Sequence, residues 1–195
     1  MELSMTPGYS GADMWIARRI AVALVTGLFL VSISSHLTWA ALGSGRLDPA
    51  FGVRGKVLTP AGGAQALAIQ SDGKIVATGG GILARYNSRG RLDRQFGAQG
   101  KVTDSCCVQA LAIQSDGKIV TAGYNVGDFA LARYNPDGSL DATFNATGKV
   151  LTDFSGSGSV DKAFALAIQS DAKIVAAGHS AAGGTADFAL ARYFP

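Results

Sequence analysis

Apolar positions along this chain fall in short, nearly unbroken runs rather than in a helical rhythm, and the same runs return three times. Ala66-Leu67-Ala68-Ile69 followed by Lys74-Ile75-Val76-Ala77 is answered by Ala110-Leu111-Ala112-Ile113 with Lys118-Ile119-Val120, then by Ala165-Leu166-Ala167-Ile168 with Lys173-Ile174-Val175-Ala176. Short apolar runs bounded by turn residues predict strands, and runs that do not alternate predict strands covered on both faces. Between the two runs of each pair stand Ser71-Asp72-Gly73, Ser115-Asp116-Gly117 and Ser170-Asp171-Ala172. Asp-Gly tolerates the positive φ of a tight hairpin, so the flanking runs are expected to pair antiparallel. Ala172 lacks glycine's freedom and is expected to strain a primed turn or change its type.

The whole unit reads G-x-L-D-x-x-F, then G-K-V, then A-L-A-I-Q-S-D-G/A-K-I-V, and closes on L-A-R-Y at Tyr86, Tyr134 and Tyr193. Its first copy offers four strand-like runs, Lys56 to Thr59, Gln65 to Gln70, Lys74 to Thr78 and Ile82 to Tyr86. Four strands per unit, joined by hairpins, predict an all-β fold, a propeller-type array of three four-stranded antiparallel blades. The units run at about 45–88, 89–136 and 137–195 within a domain of residues 41–195. A parallel β-helix competes, but its coils are usually shorter and do not call for Asp-Gly hairpins.

Gly45 to Gly52, the Ala-Ile-Gln-Ser-Asp-Gly-Lys-Ile-Val run, and Leu131 to Asp141 (Leu-Ala-Arg-Tyr-Asn-Pro-Asp-Gly-Ser-Leu-Asp) together resemble the delta-60 repeat of bacterial exported proteins. The resemblance covers Gly45 to Tyr193. It implies a propeller-like fold and no settled biochemical activity. The chain departs from the pattern in its short first two units, in Asn145 where Gly52 and Gly97 stand, and in having three units.

Upstream, residues 1–40 change character. Arg18 and Arg19 precede an apolar run from Ile20 to Ile33, and Thr38-Trp39-Ala40 precedes Ala41 as an approximate small-x-small cleavage site. This predicts a secretory signal helix, too short for the roughly 20 residues that span a bilayer. The chain is therefore expected to be exported, periplasmic or extracellular, and to meet membrane only through an uncleaved leader. Met14 offers a second possible start. The net charge of +3, with signs interspersed, gives no nucleic-acid footprint. The only Glu is Glu2, so acid/base chemistry has few carriers.

Length differences between copies concentrate in two connections. Lys56 to Ala68, Lys101 to Ala112 and Lys149 to Ala167 differ, as do Val76 to Arg85, Val120 to Arg133 and Val175 to Arg192, while the Ser-Asp-Gly turn keeps its length. In an antiparallel meander the two variable connections emerge at one end of the blades. Variable loops on a rigid scaffold are where repeat proteins usually bind. Tyr124, Asn125, Asp128, Asp153, Asp161, His179 and Asp187 are the candidate binding residues of that end, with a protein or glycan as the ligand class.

Adjacent Cys106 and Cys107 lie there too. Export permits oxidation, so they form either a strained vicinal disulfide or free or intermolecular thiols. Two cysteines without a nearby histidine make no zinc site. Asp153, Asp161 and Asp187 sit in Gly- and Ser-rich loops that could hold calcium, but no EF-hand spacing organises them, and solvated carboxylates with no metal are expected. Gly178-His179-Ser180-Ala181-Ala182-Gly183 imitates a nucleophile elbow but has Ala182 where glycine is needed. Gly97 to Lys101 falls short of a phosphate loop, with Val102 in place of Ser or Thr.

One acid and one arginine recur per unit (Asp48, Asp93, Asp141; Arg85, Arg133, Arg192) and are expected to pair structurally. Phe51, Phe96 and Phe144 are expected to wedge between units. No catalytic residue and no cofactor are expected. The reading is a non-catalytic binding or scaffolding module; the rivals are a fragment of a larger propeller protein and a propeller hydrolase or lyase. Closed propellers have about four to eight blades, so three predict either a second copy that completes a ring or capping by additional repeats.

Overall fold

Hydrogen-bonded sheets are offset from the sequence units by one strand. The computed structural model describes residues 45–103, 107–156, 158–182 and 185–195, and Leu47–Pro195 forms one unit. The first sheet runs β1 (Ala66–Ile69), β2 (Ile75–Gly79), β3 (Ile82–Tyr86) and β4 (Lys101–Thr103) in that order. The second runs β5 (Cys107–Ile113), β6 (Ile119–Asn125), β7 (Asp128–Tyr134) and β8 (Lys149–Thr152). The third holds β9 (Val160–Ile168), β10 (Ile174–Ala182) and β11 (Thr185–Tyr193). Every pairing between these strands is antiparallel.

The all-β array of three antiparallel blades is thus as the repeat predicts, but its phase is not. The Gly-Lys-Val strand that opens each unit closes the sheet before it: Leu83 faces Val102, and Leu131 faces Val150. Arg85 N donates to Gly100 O and Arg133 N to Gly148 O at 3.0 and 2.9 Å, carrying the ladder one step past the strand. Lys56–Thr59, expected as the first strand of the first blade, stands outside that sheet, and the third sheet has three strands. The expected leader and signal helix fall outside the described residues.

Turn chemistry is also redistributed. At Ser-Asp-Gly the pairing closes with Gln70 N on Lys74 O, and only the third loop residue has positive φ, Gly73 at 80° and Gly117 at 84°. That is a three-residue hairpin, not a primed two-residue turn. Asp72 stays outside the left-handed region and uses its carboxylate to accept Lys74 N. Ala172 holds the same turn at φ 65°, with Ala172 N on Gln169 O at 2.9 Å as Gly73 N is on Gln70 O. The turn type survives and the alanine carries the strain. Tight turns with two positive φ residues occur instead at Gly80-Gly81 and Val126-Gly127.

Two apolar clusters bind blade to blade. Val76 and Leu83 of the first blade pack with Leu111, Ile119, Ala132 and Tyr134 of the second around Phe96. Val120, Phe129 and Leu131 pack with Ala163, Ile174, Ala176 and Ala189 of the third around Phe144. Phe96 and Phe144 are the expected wedges, at 0% and 5% exposure. Over each wedge lies the arginine of the recurring pair, Arg85 at 4.6 Å and Arg133 at 4.8 Å from the ring centre. The same arginines bind Asp93 and Asp141, in the connections from β3 to β4 and from β7 to β8.

Candidate functional site

Strand direction alternates across each sheet, so the β6–β7 hairpin and the crossover from β8 to β9 emerge at one end. Asp161 N donates to Gly127 O, tying the start of β9 to that hairpin. The ring of Phe154, in the crossover, meets Phe129 edge-on at 4.8 Å. The two variable connections therefore form a single surface across the second and third blades.

Three carboxylates converge there. Asp128 opens β7, Asp153 follows β8, and Asp161 is the second residue of β9; one oxygen of each lies within 4.8 Å of the other two. Asp153 is exposed. Its Oδ1 accepts Ser155 N at 2.9 Å and Gly156 N at 2.7 Å, and these backbone donors hold its pKa below the usual 3.8. Asp161 is fully buried. Its Oδ2 accepts Phe154 N at 2.9 Å and the Ser159 hydroxyl at 3.3 Å, while its buried Oδ1 has no hydrogen-bond partner.

The remaining candidates arrange themselves around this trio or apart from it. Asn125 faces Asp128 across the hairpin. Tyr124 carries the Lys162 ammonium 4.8 Å above its ring, and its hydroxyl is bonded to the Cys107 thiol, which pushes the phenol's pKa up. Cys107 is free and exposed at the head of β5; Cys106 lies outside the described residues, and so does Gly183. His179 leans on Phe164 with ring centres 5.3 Å apart. Asp187 lies on β11, opposite Ser180, and does not join the trio.

The sequence pointed to Asp153, Asp161 and Asp187 as the possible acidic group, and the fold replaces Asp187 by Asp128. A signal existed: Asp128 and Asp187 begin identical Asp-Phe-Ala-Leu-Ala-Arg-Tyr segments. Asp128 gains its neighbours from the crossover between β8 and β9, which carries Asp153 and leads to Asp161. Ser180 sits inside β10 with its hydroxyl 2.9 Å from that of Ser155, so the elbow-like segment is strand. Gly97 and Lys101 bridge each other at the head of β4 as Gly52 and Lys56 do upstream, so the Gly-Lys pair is a repeat element.

Three stretches, residues 70–96, 114–144 and 169–195, match the family model described as "Domain of unknown function (DUF5122) beta-propeller". The repeats are accordingly of the propeller type. No curated protein matches the chain. Among solved structures it is similar to selenomethionine-substituted virginiamycin B lyase from Staphylococcus aureus, at 14% identity and a TM-score of 0.42, over 67% of this chain and 41% of that one. It is also similar to a streptogramin B lyase, at 12% identity and a TM-score of 0.44, over 70% of this chain and 42% of that one. The chain spans about two fifths of the length of either.

Proposed function

We propose that this chain is an exported, non-catalytic binding or scaffolding module of the delta-60 type that works as half of a six-bladed ring. One observation carries the reading: the chain holds a strand-like segment outside every sheet and a free strand edge that match each other. In the second blade Phe129-Ala130-Leu131-Ala132 of β7 pairs with Thr152, Leu151, Val150 and Lys149 of β8. Both partners recur with identical residues, as Phe188-Ala189-Leu190-Ala191 on β11 and as Lys56-Val57-Leu58-Thr59. Neither copy has the other as its neighbour.

Their surroundings fit the same pairing. Thr59 Oγ1 accepts from Tyr86 OH at 2.7 Å, just as Thr152 and Tyr193 meet at 2.8 Å. Lys56–Thr59 thus rests on the first blade as β8 rests on the third. Phe188 and Leu190 are 90% and 60% exposed where Phe129 and Leu131 are 0%, and covering each such side chain stabilises by roughly 1.5–3 kcal/mol. On the opposite flank Leu67 and Ile69 are each 65% exposed, and Leu67 lines an open pocket of about 380 Å³ with Phe51, Val57 and Ile75. In a second copy Asp48 would reach Arg192 as Asp141 reaches Arg133. Two copies of these three blades would make six, within the four-to-eight range of closed propellers.

The binding end would then be displayed twice per ring. The non-catalytic reading rests on Ser180 engaged with Ser155 inside a strand and on His179 packed against Phe164. Light scattering should give twice the chain mass, and Leu190→Asp should halve it without unfolding, because Leu190 is exposed in the single chain. Leu58→Cys with Ala189→Cys, on a Cys106→Ser/Cys107→Ser background, should crosslink two chains in the register of Leu151 and Ala130. A folded, monodisperse monomer, or a dimer with no crosslink, would overturn the ring.

A further inference from the structure

We infer that Asp128, Asp153 and Asp161 form a binding site for a hard divalent cation of the calcium class, which staples the second blade to the third. The proposal replaces the expectation of solvated loop carboxylates, and it is independent of whether two copies close a ring.

Three negative charges gathered within 4.8 Å repel one another. Among the described residues no lysine, arginine or histidine forms an ion pair with any of them. Surface carboxylates could relax by turning to solvent, but Asp161 cannot: it is 0% exposed and its Oδ1 has no partner. A buried carboxylate oxygen left unpaired is costly. Its other oxygen is already fixed by Phe154 N and Ser159 Oγ, which holds the side chain in place. A cation seated among the three carboxylates offsets their repulsion and gives the buried Asp161 carboxylate a counter-charge.

Ligand chemistry narrows the class. The donors are all carboxylate oxygens, with no nitrogen or sulfur in the trio, which disfavours zinc. Three oxygens within 4.8 Å of one another can share one ion, and calcium takes carboxylates from an irregular set of loops at roughly 2.3–2.6 Å. Magnesium demands near-ideal octahedral geometry and gives up its waters reluctantly. The ligands come from the head of β7, the exit of β8 and the start of β9, so the ion would couple a hairpin, a crossover and the next blade. The trio is particular to this junction: the place of Asp128 is held by Gly80 in the first blade.

The test uses the full chain stripped of metal, followed by calorimetric titration and thermal unfolding with calcium or magnesium. Calcium at about 5 mM, above the ~10⁻⁴–10⁻³ M affinities of extracellular calcium modules, should raise Tm by at least about 4 °C, with magnesium giving less than half of that. Asp128→Asn and Asp161→Asn should abolish both the heat of binding and the shift. In metal-free buffer Asp128→Asn should leave Tm equal to or above that of the parent, because it removes repulsion. A Tm insensitive to calcium, an equal response to magnesium, or a shift retained in both variants would overturn the proposal.

Discussion

Arg133 donates from Nε to Asp141 Oδ2 at 2.8 Å, with both side chains about 5% exposed. Burial pushes the Asp141 carboxyl up. Hydrogen bonds from the Thr143 hydroxyl and amide, with the charges of Arg133 and Lys118, outweigh that and hold its pKa at about 2, below the usual 3.8. A depressed carboxyl pKa contributes stability that is complete above the unfolded value and is lost as pH falls through the folded one.

Stability should therefore decline between about pH 4 and pH 2, and Asp141→Asn should flatten that decline by an amount on the order of 1 kcal/mol after solvent screening. Urea unfolding at a series of pH values checks it. At neutral pH the same variant should cost about 3 kcal/mol, because Arg133 is left buried without its counter-charge. A slope identical to the parent's would remove Asp141 from the account.

Ala172→Gly should stabilise the third blade by roughly 1 kcal/mol, since the alanine sits at φ 65° where the other two copies carry glycine. Gly117→Ala should destabilise by a similar amount; its added Cβ would meet only Pro136 at 3.5 Å, so the effect is conformational rather than steric. Calorimetric Tm values of the two variants should move in opposite directions.

Val126 is β-branched, 92% exposed and held at φ 53° in the β6–β7 turn. Val126→Asn keeps the turn and relieves the strain, with an expected gain of roughly 1 kcal/mol. The gain should appear with or without calcium, which separates turn strain from the carboxylate trio next to it. Thermal unfolding of the variant in both buffers is the measurement.

Gly123 and Gly178 mark the bulges that bend β5 and β9. A Cβ at either would run into the backbone carbonyl of Cys107 or Lys162. Backbone cannot yield as a side-chain tip does, so Gly178→Ala should cost roughly 2 kcal/mol or more. Equilibrium unfolding with an unchanged denaturant slope should report it.

Cys107 is exposed and free, so native thiol titration should label it before denaturant is added. Cys107→Ala should lower the Tyr124 phenol pKa toward its ordinary 10.0, because the hydrogen bond that raises it is removed. Ultraviolet pH titration of the phenols would show this.

Much was legible in the residues alone. Repetition at constant Ser-Asp-Gly spacing defined the hairpins, the Phe recurrence gave the wedges, and the Arg-Asp recurrence gave the ion pairs, although each arginine takes the aspartate of the next unit, Arg85 with Asp93 and Arg133 with Asp141. These features are local or appear once per copy, so three copies repeat the same signal. The turn at Asp72-Gly73 differs from the expected primed one, because Asp-Gly suits both a two-residue loop with the aspartate at positive φ and a three-residue loop in which only the glycine has it.

Sequence by itself determined that the chain is a β array of three blades and where each blade turns. Tertiary structure decided which strand completes which sheet, because Gly-Lys-Val carries the same pattern whether it pairs forward or backward, and only the Leu83–Val102 and Leu131–Val150 registers choose. It also decided that Asp128 rather than Asp187 joins Asp153 and Asp161. Those three positions lie on three strands of two sheets, and no linear spacing encodes a meeting produced by packing one blade against the next.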